Sequence, residues 1–294
     1  MRPHCTASLV LGLLALVVCF GPLAGTSRAE DQEVRLIVRG DDMGFCHAAN
    51  EACIQCYRQG IMRSVEVMVH GPWYPEAVKL LKENPGLDVG VHLTLNAEWE
   101  GLKWGPVTKA PSLVDKYGYF SVRIPRAGQS PLEPARPPQA APSKLEEIEQ
   151  ELEAQIRLAV ADIPQVSHLT CHMGTPVATP AMREMVERLA KNYRLPLEAP
   201  GVKRAGSMGG ARGGPQEKED AMLRIVEALT PGTYLLVEHP GLDTPEMRAV
   251  ALPGGESVAA ARFGVTTAWT SPKVRTAIAK RNIRLISYAE FHGK

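Results

Sequence analysis

The chain has 294 residues, with 33 basic and 32 acidic side chains and a formal net charge of +1. This near equality of basic and acidic side chains argues against a nucleic-acid partner or an anionic membrane surface, and it suits a neutral or weakly charged substrate. The length accommodates one large domain with a full hydrophobic core.

The N-terminus has the pattern of a secretory signal peptide. A basic start is followed by an apolar stretch from about Leu9 to Phe20 and by a small-x-small "SRA" that ends at Ala29. The apolar stretch is shorter than the ~20 residues that a membrane span needs. We therefore expect residues 1–29 to be removed and the mature chain, 30–294, to be exported to the periplasm or the extracellular space without a membrane span.

Four cysteines follow this cleavage point: Cys46, Cys53, Cys56 and Cys171. The C-x-x-C pair of Cys53 and Cys56 could belong to a redox or zinc site. No second pair and no βαβ redox signature accompanies it, so buried or free thiols are favoured. Export would permit a disulfide, but the sequence does not identify one.

Apolar, β-rich runs alternate with helical patterns along the chain. The predicted strands cover residues 34–40, 64–70, 88–95, 167–173, 195–199, 233–239 and 283–289. The predicted helices cover residues 47–59, 74–84, 143–161, 180–192, 216–229 and 272–281. The clearest helix begins with Ser143 and Glu146 in a capping-box pattern.

This alternation predicts an α/β fold in a single domain, and about seven mostly parallel strands fit a closed or nearly closed (β/α) barrel better than an open sheet. No glycine-rich fingerprint follows the first strand, which disfavours a dinucleotide-binding fold. Residues 98–142, with their proline-rich end, and the glycine-rich residues 201–216 are predicted loops, the second of them mobile. In parallel barrels the active site lies at the carboxyl ends of the strands.

Ionisable side chains fall at four of these strands. Asp41 and Asp42 end the first strand, His92 lies in the third, His172 ends the fourth and His239 ends the sixth. One aspartate and two histidines from different strands can form a facial set that holds a divalent metal and leaves positions open for water and substrate.

Each of these residues also has a structural interpretation. The two aspartates could cap the following helix, and a histidine taken singly, His168 included, is more often a hydrogen-bonded core residue. Convergence on one rim favours a metal site. A cation would offset the repulsion between adjacent carboxylates, and Gly40 would let the backbone turn so that both face inward.

Several segments occur in the order seen in the YdjC-like carbohydrate deacetylases, a family that includes the chitooligosaccharide deacetylases. They are "LIVRGDDMGFCHAANEAC", "GIMRSVEVMVHGPW", "VGVHLTL", "HLTCHMGTP", "VEHPG" and "SPKVRTAIAKRNIRLISYAEF". The resemblance runs from about residue 34 to 291. It implies a distorted (β/α) barrel that hydrolyses the N-acetyl group of an acetylated amino sugar, a mono- or oligosaccharide, and releases acetate.

The same resemblance implies roles for individual residues. Asp42, His92 and His172 match the ligands of one divalent metal ion. Asp41 matches the general base, and His239 matches the acid that assists the leaving amine. The family points to Mg²⁺, whereas the ligand types would also suit Zn²⁺.

Three further residues are candidates for substrate binding. Trp99 and Trp104, after the third strand, could stack on a sugar ring, although loop packing explains them equally well. Arg39 places a positive charge next to the aspartates where the family usually reads N-A-D-D-F-G. A second departure is Thr170, which stands for the aspartate of a D-x-H-x-H-x-H motif whose later histidines are also replaced.

Two other functions are weighed against the deacetylase. A catalytically inactive carbohydrate-binding or regulatory protein would explain Arg39 and the altered fourth motif, but it would not need the predicted base and acid together. A glycosidase would need a second acid at a strand end, and none is evident in the sequence. The oligomeric state is not readable.

Overall fold

The computed structural model describes Met1 and residues 32–122, 144–197 and 199–294. The predicted signal peptide (apart from Met1), the proline-rich stretch and the predicted helix cap Ser143 therefore lie outside the described residues. Within these ranges, no helix combines the length and the apolar composition needed to cross a membrane.

In the described part of the chain, seven strands form one sheet whose paired neighbours all run parallel. They are β1 (Val34–Met43), β2 (Ser64–Val67), β3 (Asp88–Leu93), β4 (Val166–Cys171), β5 (Lys203–Arg204), β6 (Gly232–Glu238) and β7 (Arg284–Ile286). The order is β4-β3-β2-β1-β6-β5, and β7 pairs with the first half of β1. This single-domain, curled half-barrel confirms the predicted fold class.

Helices connect the strands, as the βαβ pattern requires. They are α1 (His47–Arg58), α2 (Tyr74–Lys82), α3 (Leu145–Asp162), α4 (Pro180–Tyr193), α5 (Pro215–Ala228), α6 (Pro245–Ala249), α7 (Ala259–Thr270), α8 (Pro272–Lys280) and α9 (Tyr288–Phe291). Every predicted helix is present with its ends within two residues of the prediction. The sequence did not predict α6, α7 or α9.

The prediction of a fifth strand at residues 195–199 is wrong. The next strand along the chain is instead Lys203–Arg204, which pairs with β6 at the other end of the sheet from β4. The Pro196 carbonyl accepts a hydrogen bond from the Leu169 N–H of β4 at 2.9 Å, but proline has no N–H to return. The proline therefore leaves one hydrogen bond of a possible ladder unmade at this edge of the sheet.

The sequence did not predict helix α7 because this helix is buried by the rest of the protein on nearly all sides. Its buried residues include Ala261, Val265, Ala268 and Trp269, and it packs against α5 and α1. A helix buried all round lacks the one-sided apolar stripe by which helices are recognised in sequences. Its placement matters because it brings Arg262 to the carboxyl end of β1.

The cysteines near α1 are buried thiols. Cys46, Cys53 and Cys56 form no disulfide. Burial raises the pKa of Cys46 to about 12 and lifts that of Cys53 well above its ordinary value. Because the thiolate is the form that binds metals and exchanges disulfides, this environment favours packing over redox or zinc chemistry for the C-x-x-C pair.

Candidate metal centre

The adjacent aspartates at the end of β1 line the same cavity. In a regular strand, successive side chains point to opposite faces. Asp42 breaks the alternation, because its φ of 72° is left-handed and the pairing of β1 with β2 shifts register between Gly40 and Met43. Such an irregularity re-aims a side chain, and here it turns Asp42 toward the side that Asp41 already faces.

Gly40 contributes space, not the turn that the sequence suggested. It lies in regular strand backbone, and the left-handed residue is Asp42. A Cβ atom at Gly40 would lie 2.6 Å from Sδ of Met62 and 3.3 Å from Cγ of Pro240. The glycine therefore permits β1 to pack closely against the segments before β2 and after β6.

Asp42, His92 and His172 bring one ligand atom each to a common point, with all three atoms within 4.8 Å of one another. Oδ1 of Asp42 lies 3.6 Å from Nε2 of His92 and 3.3 Å from Nδ1 of His172. The two ring nitrogens are 3.3 Å apart. All three residues are buried.

These residues fit a divalent metal ion. Oδ1 of Asp42 is buried and meets no donor in hydrogen-bond geometry among the residues that the structure describes. Two ligands bound at about 2.1 Å and separated by tetrahedral or octahedral angles lie about 3.0–3.4 Å apart, close to the distances seen here. A carboxylate and two imidazoles are also a donor set that such metals favour.

The two histidines have opposite electrostatic environments. Burial, followed by the nearby His172, lowers the pKa of His92 to about 3. Burial acts in the same direction on His172, but the carboxylates of Glu98 and Asp42 outweigh it and raise its pKa to about 10. Without a metal ion, the additional proton that gives one of the two rings a positive charge therefore resides on His172.

Arg262 of α7 is a member of the site that the sequence analysis missed. Its Nη2 donates to Oδ2 of Asp42 at 2.7 Å, and its guanidinium lies over the rings of Phe45 and Trp99 at 4.9 and 5.2 Å. Burial by itself would raise the pKa of Asp42, but His239 and Arg262 hold it well below its ordinary value. Asp42 is therefore ionised, which is the form in which a carboxylate binds cations.

Asp41 and His239 flank the three candidate ligands. Nε and Nη2 of Arg39 donate to the two carboxylate oxygens of Asp41 at 2.7 and 2.8 Å. Arg39 thus contacts Asp41 and the Tyr288 hydroxyl and does not line the cavity. Nε2 of His239 lies 3.9 Å from Oδ2 of Asp42, and its side chain is 41% exposed, so it is accessible to a substrate.

A cavity of about 420 Å³ opens at this site. Trp99 lines it, together with Glu98, Met173, Ser207, Glu238, Leu252 and Val258. Trp104 is buried behind it, where its Nε1 donates to the Asn96 carbonyl at 2.8 Å and its ring packs 6.4 Å from that of His172. The two predicted sugar-stacking residues are therefore placed differently, and only Trp99 reaches the cavity.

Three carboxylates near the site were also missed. Glu98 contacts His172, Glu238 lines the cavity directly before His239, and Glu66 lies fully buried in β2. A signal existed for Glu66, because an acidic residue inside the apolar run "SVEVMV" must find a partner when that run is buried. Glu98 lies in a loop, where the sequence gives no such signal.

The sequence matches the model of a family described as YdjC-like protein over residues 35–280. A protein from Brevibacillus brevis named carbohydrate deacetylase is 29% identical over 276 residues, which cover 87% of this chain and 99% of that protein. A carbohydrate deacetylase from Thermus thermophilus is 33% identical over 237 residues, covering 73% and 80%.

A similar fold occurs in a crystal structure from Enterococcus faecalis, of a protein provisionally named a cellobiose-phosphate cleavage protein. The TM-score is 0.66, the sequence identity is 21%, and the match covers 88% of this chain and 98% of the other. At this identity the likeness establishes the shared fold alone.

Proposed function

The chain belongs to the YdjC-like protein family, and we propose that it is a metal-dependent hydrolase that removes the N-acetyl group from an acetylated amino sugar, a mono- or oligosaccharide, and releases acetate. The observation that carries the proposal is the position of the buried Oδ1 of Asp42, 3.6 Å from Nε2 of His92 and 3.3 Å from Nδ1 of His172. The relatives named carbohydrate deacetylase support the choice of reaction.

We propose that Asp42, His92 and His172 hold one divalent metal ion. The family resemblance points to Mg²⁺, whereas two imidazole ligands among three suit Zn²⁺ better. When bound, such an ion polarises the acetamide carbonyl and lowers the pKa of water.

Asp41 and His239, next to the proposed ligands, would carry out the two proton transfers. Asp41, whose Oδ2 lies 3.8 Å from Nε2 of His92, takes a proton from the attacking water. Arg39 holds that carboxylate in place through two hydrogen bonds. His239 gives a proton to the sugar nitrogen as its bond to the carbonyl carbon breaks, so a neutral amine leaves and acetate forms. Trp99 contacts the sugar from the cavity wall.

A second candidate function is an inactive carbohydrate-binding protein on the same barrel. It is favoured by one observation: both carboxylate oxygens of Asp41 already accept hydrogen bonds from Arg39, which competes with the acceptance of a proton from water. The two candidates differ in whether acetate is released from a bound sugar.

Acetate release decides between them. The protein is supplied with Mg²⁺ or Zn²⁺ and offered N-acetylglucosamine oligomers and related acetamido sugars. The hydrolase releases acetate, loses this activity in His92→Ala, and stops reversibly when a chelator removes the metal. A control variant at an exposed histidine, His47→Ala, keeps the activity. Sugar binding without acetate release supports the inactive protein, and indifference to chelation contradicts the metal-dependent reaction.

We also propose that the protein is exported, on the pattern of residues 1–29 alone. Sequencing the N-terminus of protein recovered from cells tests this: the expected first residue is Glu30, and an intact N-terminus would contradict export by cleavage.

A further inference from the structure

We infer that Glu66 and Glu98, neither of which is one of the three candidate ligands, are positioning residues that decide which ring nitrogen each histidine presents to the metal ion. Glu66 acts on His92 through the hydroxyl of Thr170, and Glu98 acts on His172 directly. This inference rests on the proposed metal site and adds to it the second layer of residues that would set its affinity.

The first connection runs from Glu66 to His92. The Thr170 hydroxyl lies 2.5 Å from Oε2 of Glu66 and 2.8 Å from Nδ1 of His92. A hydroxyl has one hydrogen to donate. If it were directed at the imidazole, two oxygen lone pairs would face each other at 2.5 Å, so the hydroxyl donates to Glu66 and accepts from the histidine. Nδ1 of His92 then carries the ring proton, and Nε2 presents a lone pair toward Asp42.

Glu66 is held in place for this role. It is fully buried in β2, and its Oε1 lies 2.7 Å from Nε2 of His168 and 3.8 Å from Nε of Arg39. These partners lower the pKa of Glu66 against the effect of its burial. A Cβ atom at Gly90 would collide with Glu66 and with His168, so this glycine in β3 leaves the room that the carboxylate occupies.

The second connection runs from Glu98 to His172. Both oxygens of Glu98 lie within reach of Nε2 of His172, at 3.0 and 3.1 Å. An ionised carboxylate only accepts, so Nε2 of His172 is the donor. The other nitrogen, Nδ1, is then the one left to face Asp42 at 3.3 Å. Asn96 donates to Oε2 of Glu98 at 3.2 Å and restrains the carboxylate.

The two histidines would therefore bind through different atoms, His92 through Nε2 and His172 through Nδ1. Hydrogen bonds of this kind raise the basicity of a ligating imidazole and fix its ring, and their removal typically lowers metal affinity about 10- to 100-fold. The loss arises because the wrong tautomer presents an N–H, which cannot bind a cation.

Metal affinity tests the inference, measured by competition with a chromophoric chelator for Zn²⁺ and Mg²⁺. We expect Glu66→Gln, Glu98→Gln and Thr170→Val to bind metal about 10- to 100-fold more weakly than the parent. Thr170→Ser keeps the hydroxyl and should bind within about threefold. Glu187→Gln, a change at an exposed glutamate of α4, is the matched control and should bind as the parent does.

A second readout separates tautomer control from a general loosening of the fold. In ¹⁵N spectra of the metal-free protein, the ring nitrogens of His92 should show Nδ1 protonated in the parent and in Thr170→Ser, and a mixed or reversed pattern in Thr170→Val. Thr170→Val and its conservative counterpart Thr170→Ser keep the inference testable even if Glu66→Gln does not fold.

The proposed function and the positioning role of the two glutamates are overturned by different results. A parent protein that binds no metal overturns the proposed function and this inference with it. A parent that binds metal, with Thr170→Val and Glu98→Gln within twofold of it and the His92 ring pattern unchanged, overturns this inference alone.

Discussion

Oδ1 of Asp42 lies 3.3 Å from Nδ1 of His172, and no donor in the described part of the chain satisfies that oxygen in hydrogen-bond geometry. The other oxygen, Oδ2, is paired with Arg262, but a buried carboxylate oxygen without a donor still costs about 1–3 kcal/mol, so a further positive charge beside Oδ1 is favourable. A proton on His172 or a metal ion can supply that positive charge, and the two compete for the same place.

Metal binding should therefore release a proton. The pKa of His172 is raised to about 10, so the imidazole is protonated in the metal-free protein at neutral pH, and a metal ligand must be neutral. We expect about one proton per chain to be released at pH 7.5. Titration calorimetry in buffers of different ionisation enthalpy measures this number, and a value of zero would contradict the competition.

The same shift predicts how the stability of the metal-free protein depends on pH. Because the folded-state pKa of His172 lies above its ordinary value of 6.5, the stabilisation is fully present below about pH 6.5 and is lost as the pH rises toward 10. We therefore expect the part of the free energy of unfolding that His172 contributes to decrease as the pH rises from about 6.5 to 10. Comparison with His172→Asn isolates that contribution, and parallel pH profiles for the two proteins would contradict it.

Arg262 should matter most when no metal is bound. It forms a buried ion pair with Asp42, and loss of one partner of a buried pair lowers stability by about 3 kcal/mol. We expect Arg262→Met to show a loss of this order in denaturant titrations without metal, and a smaller loss with saturating metal, because the cation then compensates Asp42. The control Arg248→Met breaks the exposed pair with Asp243 and should leave the stability nearly unchanged. Equal losses with and without metal would contradict this account of Arg262.

Asp41 and the metal ligands should separate kinetically. Asp41 belongs to the proposed proton transfer and not to the three ligands, so Asp41→Asn should lower kcat by about 10²- to 10⁴-fold while metal affinity stays within a few-fold. Asp243→Asn, at an exposed aspartate, is the control. Full activity in Asp41→Asn would assign the proton to another group.

Trp99 should affect substrate binding more than Trp104 does, because only Trp99 lines the cavity. Loss of ring stacking in Trp99→Ala should raise KM about two- to tenfold, and Trp99→Phe should recover most of the loss. Trp104→Phe, which removes the hydrogen bond to Asn96, should alter thermal stability and leave KM close to the parent. The reverse order of KM effects would place the sugar elsewhere.

Much of the site could be predicted because the strand ends of a parallel sheet share one rim. Asp42, His92 and His172 lie on three different strands or at their ends, and the sheet order β4-β3-β2-β1 brings them together. The alternation of elements and the positions of the charged residues are enough to predict this grouping. The left-handed backbone of Asp42 could not be predicted in this way. The sequence analysis attributed the inward orientation of both carboxylates to Gly40 instead.

The remaining residues depend on packing that local patterns do not encode. Arg262 reaches Asp42 from α7, 220 positions away in sequence, on a helix too enclosed to show a periodic stripe. In the sequence, Thr170 replaces an aspartate of the family motif, so a carboxylate beside the metal site seemed to be missing. In the structure, the Thr170 hydroxyl donates to the carboxylate of Glu66 in β2, which supplies that charge. Such substitutions across neighbouring strands are visible only when the side chains are placed.

We propose that one cation lies between Asp42, His92 and His172. Anomalous diffraction from crystals soaked in Zn²⁺ tests it most directly. We predict a strong peak about 2.0–2.2 Å from Oδ1 of Asp42, Nε2 of His92 and Nδ1 of His172. A map without a peak at this position, or with zinc bound only elsewhere on the protein, would contradict it.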